Sequence, residues 1–219
     1  MKPILQYQDL IQVPVIDSGE PILIVQDVAP EIACVYEKQD MRPYLGDQFA
    51  LRKGTIERLK NAAIALQKLG SDLTFRLVYA YRHPNVQLAY FEKRREILIQ
   101  ENPNLSQEEM IAKTHLFVAS PDVAGHPTCG AVDITIEGPH GPIDMGSGIA
   151  DFTSNNIETF SEGLSETQQK NRQLLRTILM DAGFAPFDGE WWHFSYGDKE
   201  WAAYYQKPNA LYDQIVFEK

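Results

Sequence analysis

Four side chains in the second half of the chain have the types and spacing from which hydrolytic chemistry is built. His126 and Asp133 lie seven residues apart across an irregular stretch, and Glu190 and His193 lie three apart near the C-terminus. Two imidazoles and a carboxylate are enough for a catalytic zinc site, which takes three N or O ligands at about 2.0 to 2.2 Å and keeps a fourth position for water. Glu190 is then left over, a carboxylate able to take a proton from an attacking water and hand it to a leaving amine. A plainer reading stays open beside this one. A chain with five histidines offers many such combinations, and a histidine next to Trp191 and Trp192 also suits a hydrogen-bonded core position. Other hydrolytic routes are closed on motif grounds. No serine sits in G-x-S-x-G or three residues before a lysine, and H-E-x-x-H, the phosphate-binding P-loop and the dinucleotide glycine fingerprint are all absent.

The elements that must position these residues are legible as patterns. Ala131 to Ile136 alternates so that Ala131, Asp133 and Thr135 share one face of a strand. Leu73 to Arg82 reads as another strand, closed by His83-Pro84, with Arg82 on its polar face at the end. There a guanidinium fork suits either a developing oxyanion or a surface carboxylate. Glu190 to Phe194 reads as a strand-like aromatic run. Ile56, Leu59, Ala63, Leu66 and Leu69 recur at helical spacing, with Gly70 placed as a left-handed cap. Further helices are predicted over about 85–100, from the Ser106/Glu109 capping box, and from the Ser165/Gln168 box to Gly183. The apolar runs Ile11 to Ile16 and Ile22 to Val25 read as short strands or extended wrapping, and Gly138 to Pro142 as a hairpin turn. Without a regular β-α-β alternation, the fold class is α+β, a central antiparallel sheet flanked by helices. No repeat or linker divides the chain, so residues 1–219 are expected to form one domain, with 1–50 as an N-terminal wrapping segment.

Composition bounds the partners. The chain has 219 residues, with 30 Asp+Glu against 20 Lys+Arg for a net charge of −10. That balance opposes the counterion release that drives nucleic-acid binding. No stretch approaches the roughly 18 apolar residues of a membrane helix, and Gln6 and Asp9 interrupt any apolar signal-peptide core. Two cysteines, Cys34 and Cys129, fit a reducing compartment, so a cytoplasmic protein is expected, with no nucleic-acid or membrane partner.

Four separated motifs coincide in order and spacing. Tyr81-Arg82, His126-x-x-Cys129-Gly130-Ala131-Val132-Asp133, Asp144-Met145-Gly146 and Glu190-Trp191-Trp192-His193-Phe194 together resemble the VanX-type zinc D-alanyl-D-alanine dipeptidases, over roughly Leu73 to the C-terminus. Asn171-Arg172-Gln173-Leu174-Leu175 and Ala182-Gly183-Phe184 are similar to that family as well. The resemblance implies one Zn²⁺ per chain on His126, Asp133 and His193, with Glu190 as general base and acid and Arg82 stabilising the tetrahedral oxyanion. It also implies that Asp144 receives the ammonium group of a small dipeptide substrate. By itself, Asp144 would be an ordinary turn residue.

Two departures from the family pattern stand out. Ala124 occupies a position where the family commonly has a serine that helps hold the substrate carboxylate, and Cys129 stands where glycine is usual. The spacing of Cys129 from His126 suits a metal ligand or an activated thiol, although a small buried hydrophobe is the simpler expectation. Cys34, between Ala33 and Val35, reads as core, and His83, His115 and His140 read as hydrogen-bonded or solvated. The activity expected is hydrolysis of D-alanyl-D-alanine or a similar D,D-dipeptide. The alternatives are a zinc carboxypeptidase or endopeptidase acting on longer peptidoglycan peptides, and a non-catalytic zinc-binding module.

Overall fold

The computed structural model describes residues 4–70 and 72–218. In chain order the elements are α1 (Tyr7–Ile11), β1 (Ile22–Ile24), α2 (Val25–Val28), β2 (Ala33–Cys34), α3 (Arg42–Leu45), β3 (Ala50–Arg52), α4 (Lys53–Leu69), β4 (Thr74–Tyr79), α5 (Pro84–Glu101) and α6 (Gln107–His115). After a 3-10 turn at His126–Thr128 come β5 (Ala131–Gly138), β6 (Gly141–Pro142), α7 (Glu166–Asp181), β7 (Ala185–Pro186), β8 (His193–Ser195) and α8 (Lys199–Tyr204). The main sheet runs β2-β4-β5-β8-β7, with β6 folding back on β5, and a separate two-stranded sheet joins β1 to β3. Pairing is antiparallel throughout the centre of the main sheet; the two-residue β2 adds a parallel edge to β4. The fold is α+β, as the mixed element order predicts.

β5 is buried along both faces from Ala131 to Ile136. Val132, Ile134 and Ile136 pack into the main core, which also takes Leu59 and Leu66 of α4 and Leu175 and Leu179 of α7. The alternating partner Asp133 is thereby turned to the opposite face. The N-terminal segment is tied to the far end of the chain: Val15 bridges Ala210, and Arg52 binds the Asp17 carboxylate at 2.7 Å. Leu10 to Ile16 is part helix and part irregular chain, whereas Ile22–Ile24 forms the expected strand.

Two local expectations are corrected. Gly70 does not cap α4 in a left-handed conformation; its φ is −169°, ordinary extended backbone that leads the chain directly toward β4. The left-handed glycine is Gly183 after α7, at φ +97°, where Gly183 N–H donates to Met180 O and Phe184 N–H to Leu179 O. That pair of bonds is a Schellman closure. The second correction concerns the aromatic run, in which only His193 onward is strand; 190–192 is a turn closed by His193 N–H donating to Glu190 O (3.1 Å). The turn has a consequence for the site. In a continuous strand, residues three apart point to opposite faces, whereas the turn lets Glu190 and His193 face the same cavity.

Candidate active site

Strand register brings the first pair together. Asp133 on β5 lies directly opposite His193 on β8 and is also paired with Tyr79 on β4, beside a register shift between Leu77 and Tyr79. Asp133 Oδ1 is 3.0 Å from His193 Nδ1 and 3.4 Å from His126 Nε2. His126 comes from the 3-10 turn, anchored where Thr128 Oγ1 donates to Gly125 O and Gln214 Nε2 donates to Ala124 O. Gly125 is required there, because a Cβ would lie 2.1 Å from Asp198 Oδ2. The ligand atoms of His126, Asp133 and His193 all fall within 4.8 Å of one another, and among the described residues these three make the group able to hold a metal ion.

The donor set fits a divalent cation on its own chemistry. His126 Nδ1 sits 2.6 Å from the Ala80 carbonyl, so that nitrogen carries the proton and Nε2 offers a lone pair. Burial pushes the His126 imidazole down to about 4, which keeps it neutral. Burial opposes ionisation of Asp133, yet the two imidazoles outweigh it and hold the carboxyl well below the usual range. Burial also disfavours charge on His193, but its bond to Asp133, with Glu200 nearby, raises it to about 9. A cation entering the cluster therefore displaces a proton from His193.

Glu190 and Arg82 border the same cavity of about 320 Å³. Desolvation raises the Glu190 carboxyl to about 7, with Asp133 adding to the rise and His193, Arg82 and Lys38 opposing it. A carboxyl poised there can accept and release a proton near neutral pH. Arg82 lies just beyond β4, and its Nη1 donates to Gln87 Oε1 (2.9 Å). Its guanidinium sits over the rings of Tyr79 and Tyr90, 4.6 and 5.4 Å from their centroids. Both tyrosine hydroxyls donate to Asp40 Oδ2, so a carboxylate from the N-terminal segment steadies the aromatic cage around Arg82.

Asp144 is not brought to the cavity. It is exposed just after the β5–β6 hairpin, its Oδ1 accepting from Gly146 N–H and its Oδ2 from Gln168 Nε2. Ala124 does line the cavity, as a buried methyl. Cys129 is fully buried at φ +61°, packed with Met41, Leu45, Tyr79 and Tyr81, and stands outside the metal cluster. Burial pushes its thiol up, and Cys34 is free as well. His83 caps α5 by accepting from Asn85 N–H, His115 accepts from Ser120 N–H, and His140 lies in the hairpin turn.

Sequence reasoning missed two residues. Glu200, in the first turn of α8, borders the cavity 3.9 Å from His193 Nε2. Arg172 of α7 is buried and donates to the carbonyls of Met145, Asn156 and Glu158. It thereby ties down the loop that brings Ala150 and Phe152 to the cavity. No spacing rule flags Glu200; the motif around Arg172 was visible, its contacts were not.

Comparison with known proteins places the chain in a family. The family model for D-ala-D-ala dipeptidase, Peptidase_M15, matches residues 26–214. A D-alanyl-D-alanine dipeptidase of Synechocystis sp. is 27% identical over 237 residues, covering 94% of this chain and 93% of that protein. One of Enterococcus faecium is 31% identical over 113 residues, covering 51% of this chain and 50% of that protein. Among solved structures, the LD-carboxypeptidase LdcB has 20% identity, a TM-score of 0.47 and coverage of 89% of this chain and 76% of its own. The D,D-pentapeptidase VanY has 16% identity, a TM-score of 0.41 and coverage of 74% and 81%. With the match spanning nearly the whole chain, the protein belongs to the D-ala-D-ala dipeptidase family and is a metallopeptidase.

Proposed function

We propose that the protein is a zinc-dependent dipeptidase that hydrolyses D-alanyl-D-alanine or a similar small D,D-dipeptide, with one Zn²⁺ held by His126, Asp133 and His193. The observation that carries this reading is the single cavity bordered by the His126, Asp133 and His193 cluster together with Glu190 and Arg82. A bound zinc ion supplies Lewis acidity toward the scissile carbonyl and makes nearby water more acidic. Glu190 takes the proton of the attacking water on a carboxylate oxygen and returns it to the leaving amine. Arg82, held by Gln87 and the tyrosine cage, presents its remaining N–H groups to the oxygen on which negative charge develops. Phe152 and Trp192, in edge-to-face contact, give the cavity an apolar wall beside these groups.

The binding-module alternative is disfavoured, because a structural zinc site is closed by a fourth protein ligand and Cys129 packs elsewhere. A carboxypeptidase reading has two observations in its favour. The cavity runs past Tyr90 to Arg94, Ile97 and Phe117 between α5 and α6, and the wall at Ala124 lacks a hydroxyl. The cytoplasmic placement rests on the two free cysteines.

The test is turnover of D-Ala-D-Ala by zinc-loaded protein, with L-Ala-L-Ala and a D-Ala-terminated pentapeptide alongside. Hydrolysis confined to the D,D-dipeptide is expected. Glu190→Gln should lose roughly 10²- to 10⁴-fold in kcat while still binding zinc. Cleavage of the pentapeptide alone would move the activity to the carboxypeptidase, and full activity of the Gln variant would remove Glu190 as base.

A further inference from the structure

The two histidines of the cluster present different ring nitrogens to it. His126 offers Nε2, and its Nδ1–H is already accounted for by the Ala80 carbonyl. His193 offers Nδ1, the atom beside Asp133, so when that nitrogen ligates a metal the ring proton must reside on Nε2. That N–H calls for an acceptor, because in metal sites the outer acceptor fixes both tautomer and ring orientation. The side chain facing His193 Nε2 is Glu200, with Oε2 at 3.9 Å. Its other oxygen, Oε1, is buried and has no hydrogen-bond partner.

Glu200 also stands on a braced element. Asp198 Oδ1 caps α8 by accepting from Trp201 N–H and from Ser195 Oγ, both at 2.8 Å. Gly197 takes φ +78° against the Tyr212 ring, where a Cβ would lie 2.5 Å from ring carbons. The turn from β8 into α8 therefore leaves little freedom in where the Glu200 backbone sits relative to His193, seven residues earlier in the chain.

We propose that Glu200 is a positioning residue that accepts the Nε2–H of His193 and thereby orients Nδ1 toward the metal. This rests on the metal reading of His126, Asp133 and His193. It requires the carboxylate to close from ion-pair to hydrogen-bond distance when the site is loaded, and the unpartnered Oε1 leaves the group free to turn.

Zinc affinity of the protein, measured by competition with a chromophoric chelator, tests the proposal, with the visible absorption of the cobalt-loaded form as a second readout. Glu200→Ala should weaken zinc binding by roughly 10- to 100-fold and alter the cobalt spectrum. Glu200→Gln, whose amide oxygen still accepts, should restore most of the affinity and the parent spectrum. If the alanine variant does not fold, Glu200→Leu removes the acceptor at similar volume. Parental zinc affinity in the alanine or leucine variant would overturn the proposal, as would equal weakening by Gln, which would point to charge alone. A raised KM with zinc affinity unchanged would also overturn it, making Glu200 a contact for the substrate. The metal reading fails separately: if His126→Ala bound zinc as well as the parent, the cluster itself would not be the site.

Discussion

Arg172 offers the sharpest link between stability and the site. Its guanidinium, 1% exposed, donates through Nε to Met145 O (2.6 Å), through Nη1 to Glu158 O (2.5 Å) and through Nη2 to Asn156 O (2.6 Å). Hydrogen bonds from a charged donor contribute about 1.5 to 3 kcal/mol each. Loss of all three in Arg172→Ala then costs about 4 to 5 kcal/mol even at the low end, a large share of the 5 to 15 kcal/mol that typically holds a fold. Arg172→Lys is the more informative change, since one ammonium cannot span three carbonyls in a planar fork. Keeping one bond and losing two predicts about 3 kcal/mol of destabilisation, or a Tm lowered by roughly 6 to 12 °C for a chain of this size. The same loop carries Ser147, whose Oγ accepts from Trp191 Nε1 (2.9 Å), and Phe152, which packs edge-on against Trp192. Urea unfolding followed by tryptophan fluorescence, with dipeptide turnover measured under native conditions, therefore reads stability and site together. A lysine variant within about 1 kcal/mol of the parent would refute the reasoning, because it would mean that water replaces the guanidinium at little cost.

Further outcomes follow from other parts of the site. Burial pushes His115 down to about 4, so its neutral form stabilises the fold fully above pH 6.5 and that contribution fades as pH falls toward 4. The loss amounts to roughly 3 kcal/mol at most. His115→Asn should flatten this acid limb in urea midpoints measured against pH, and parallel profiles would exclude the assignment. Gly125→Ala should weaken zinc binding and destabilise by about 1 to 3 kcal/mol, since its Cβ would drive into Asp198 Oδ2 and shift His126. Unchanged zinc affinity would show that the turn adapts. Both thiols should resist Ellman's reagent in the native protein and react on unfolding, because burial raises Cys34 to about 12 and raises Cys129 as well; a fast native reaction at Cys129 would contradict its packing. Asp144→Ala should leave the dipeptide KM nearly unchanged, as its oxygens are engaged outside the cavity, and a rise specific to the dipeptide would reinstate it as the ammonium partner.

Local physics made much of this protein legible from the chain alone. The Ser106 and Ser165 capping boxes form as written, the helical spacing buries Ile56, Leu59, Ala63 and Leu66 while Leu69 at the end of the stripe is exposed, and the alternation along β5 separates Asp133 from Val132 and Ile134. These signals depend on neighbours within a few residues, and a sequence states them directly. His126, Asp133, His193, Glu190 and Arg82 stood out together only through the family motifs they belong to, and all five border one cavity. Tertiary structure decided what spacing cannot encode. Cross-strand register sets Asp133 against His193 across 60 residues of chain, and a turn rather than a strand puts Glu190 on their side. Asp40, far upstream, steadies the cage of Arg82, and α8 brings Glu200 behind His193. Asp144, by contrast, keeps its motif and remains outside the cavity because its loop gives its oxygens other donors. The reason is physical. Helix caps and alternation are short-range preferences of the backbone, whereas a site is a meeting of distant segments, fixed only when the core chooses how the strands pair and which face each side chain must take.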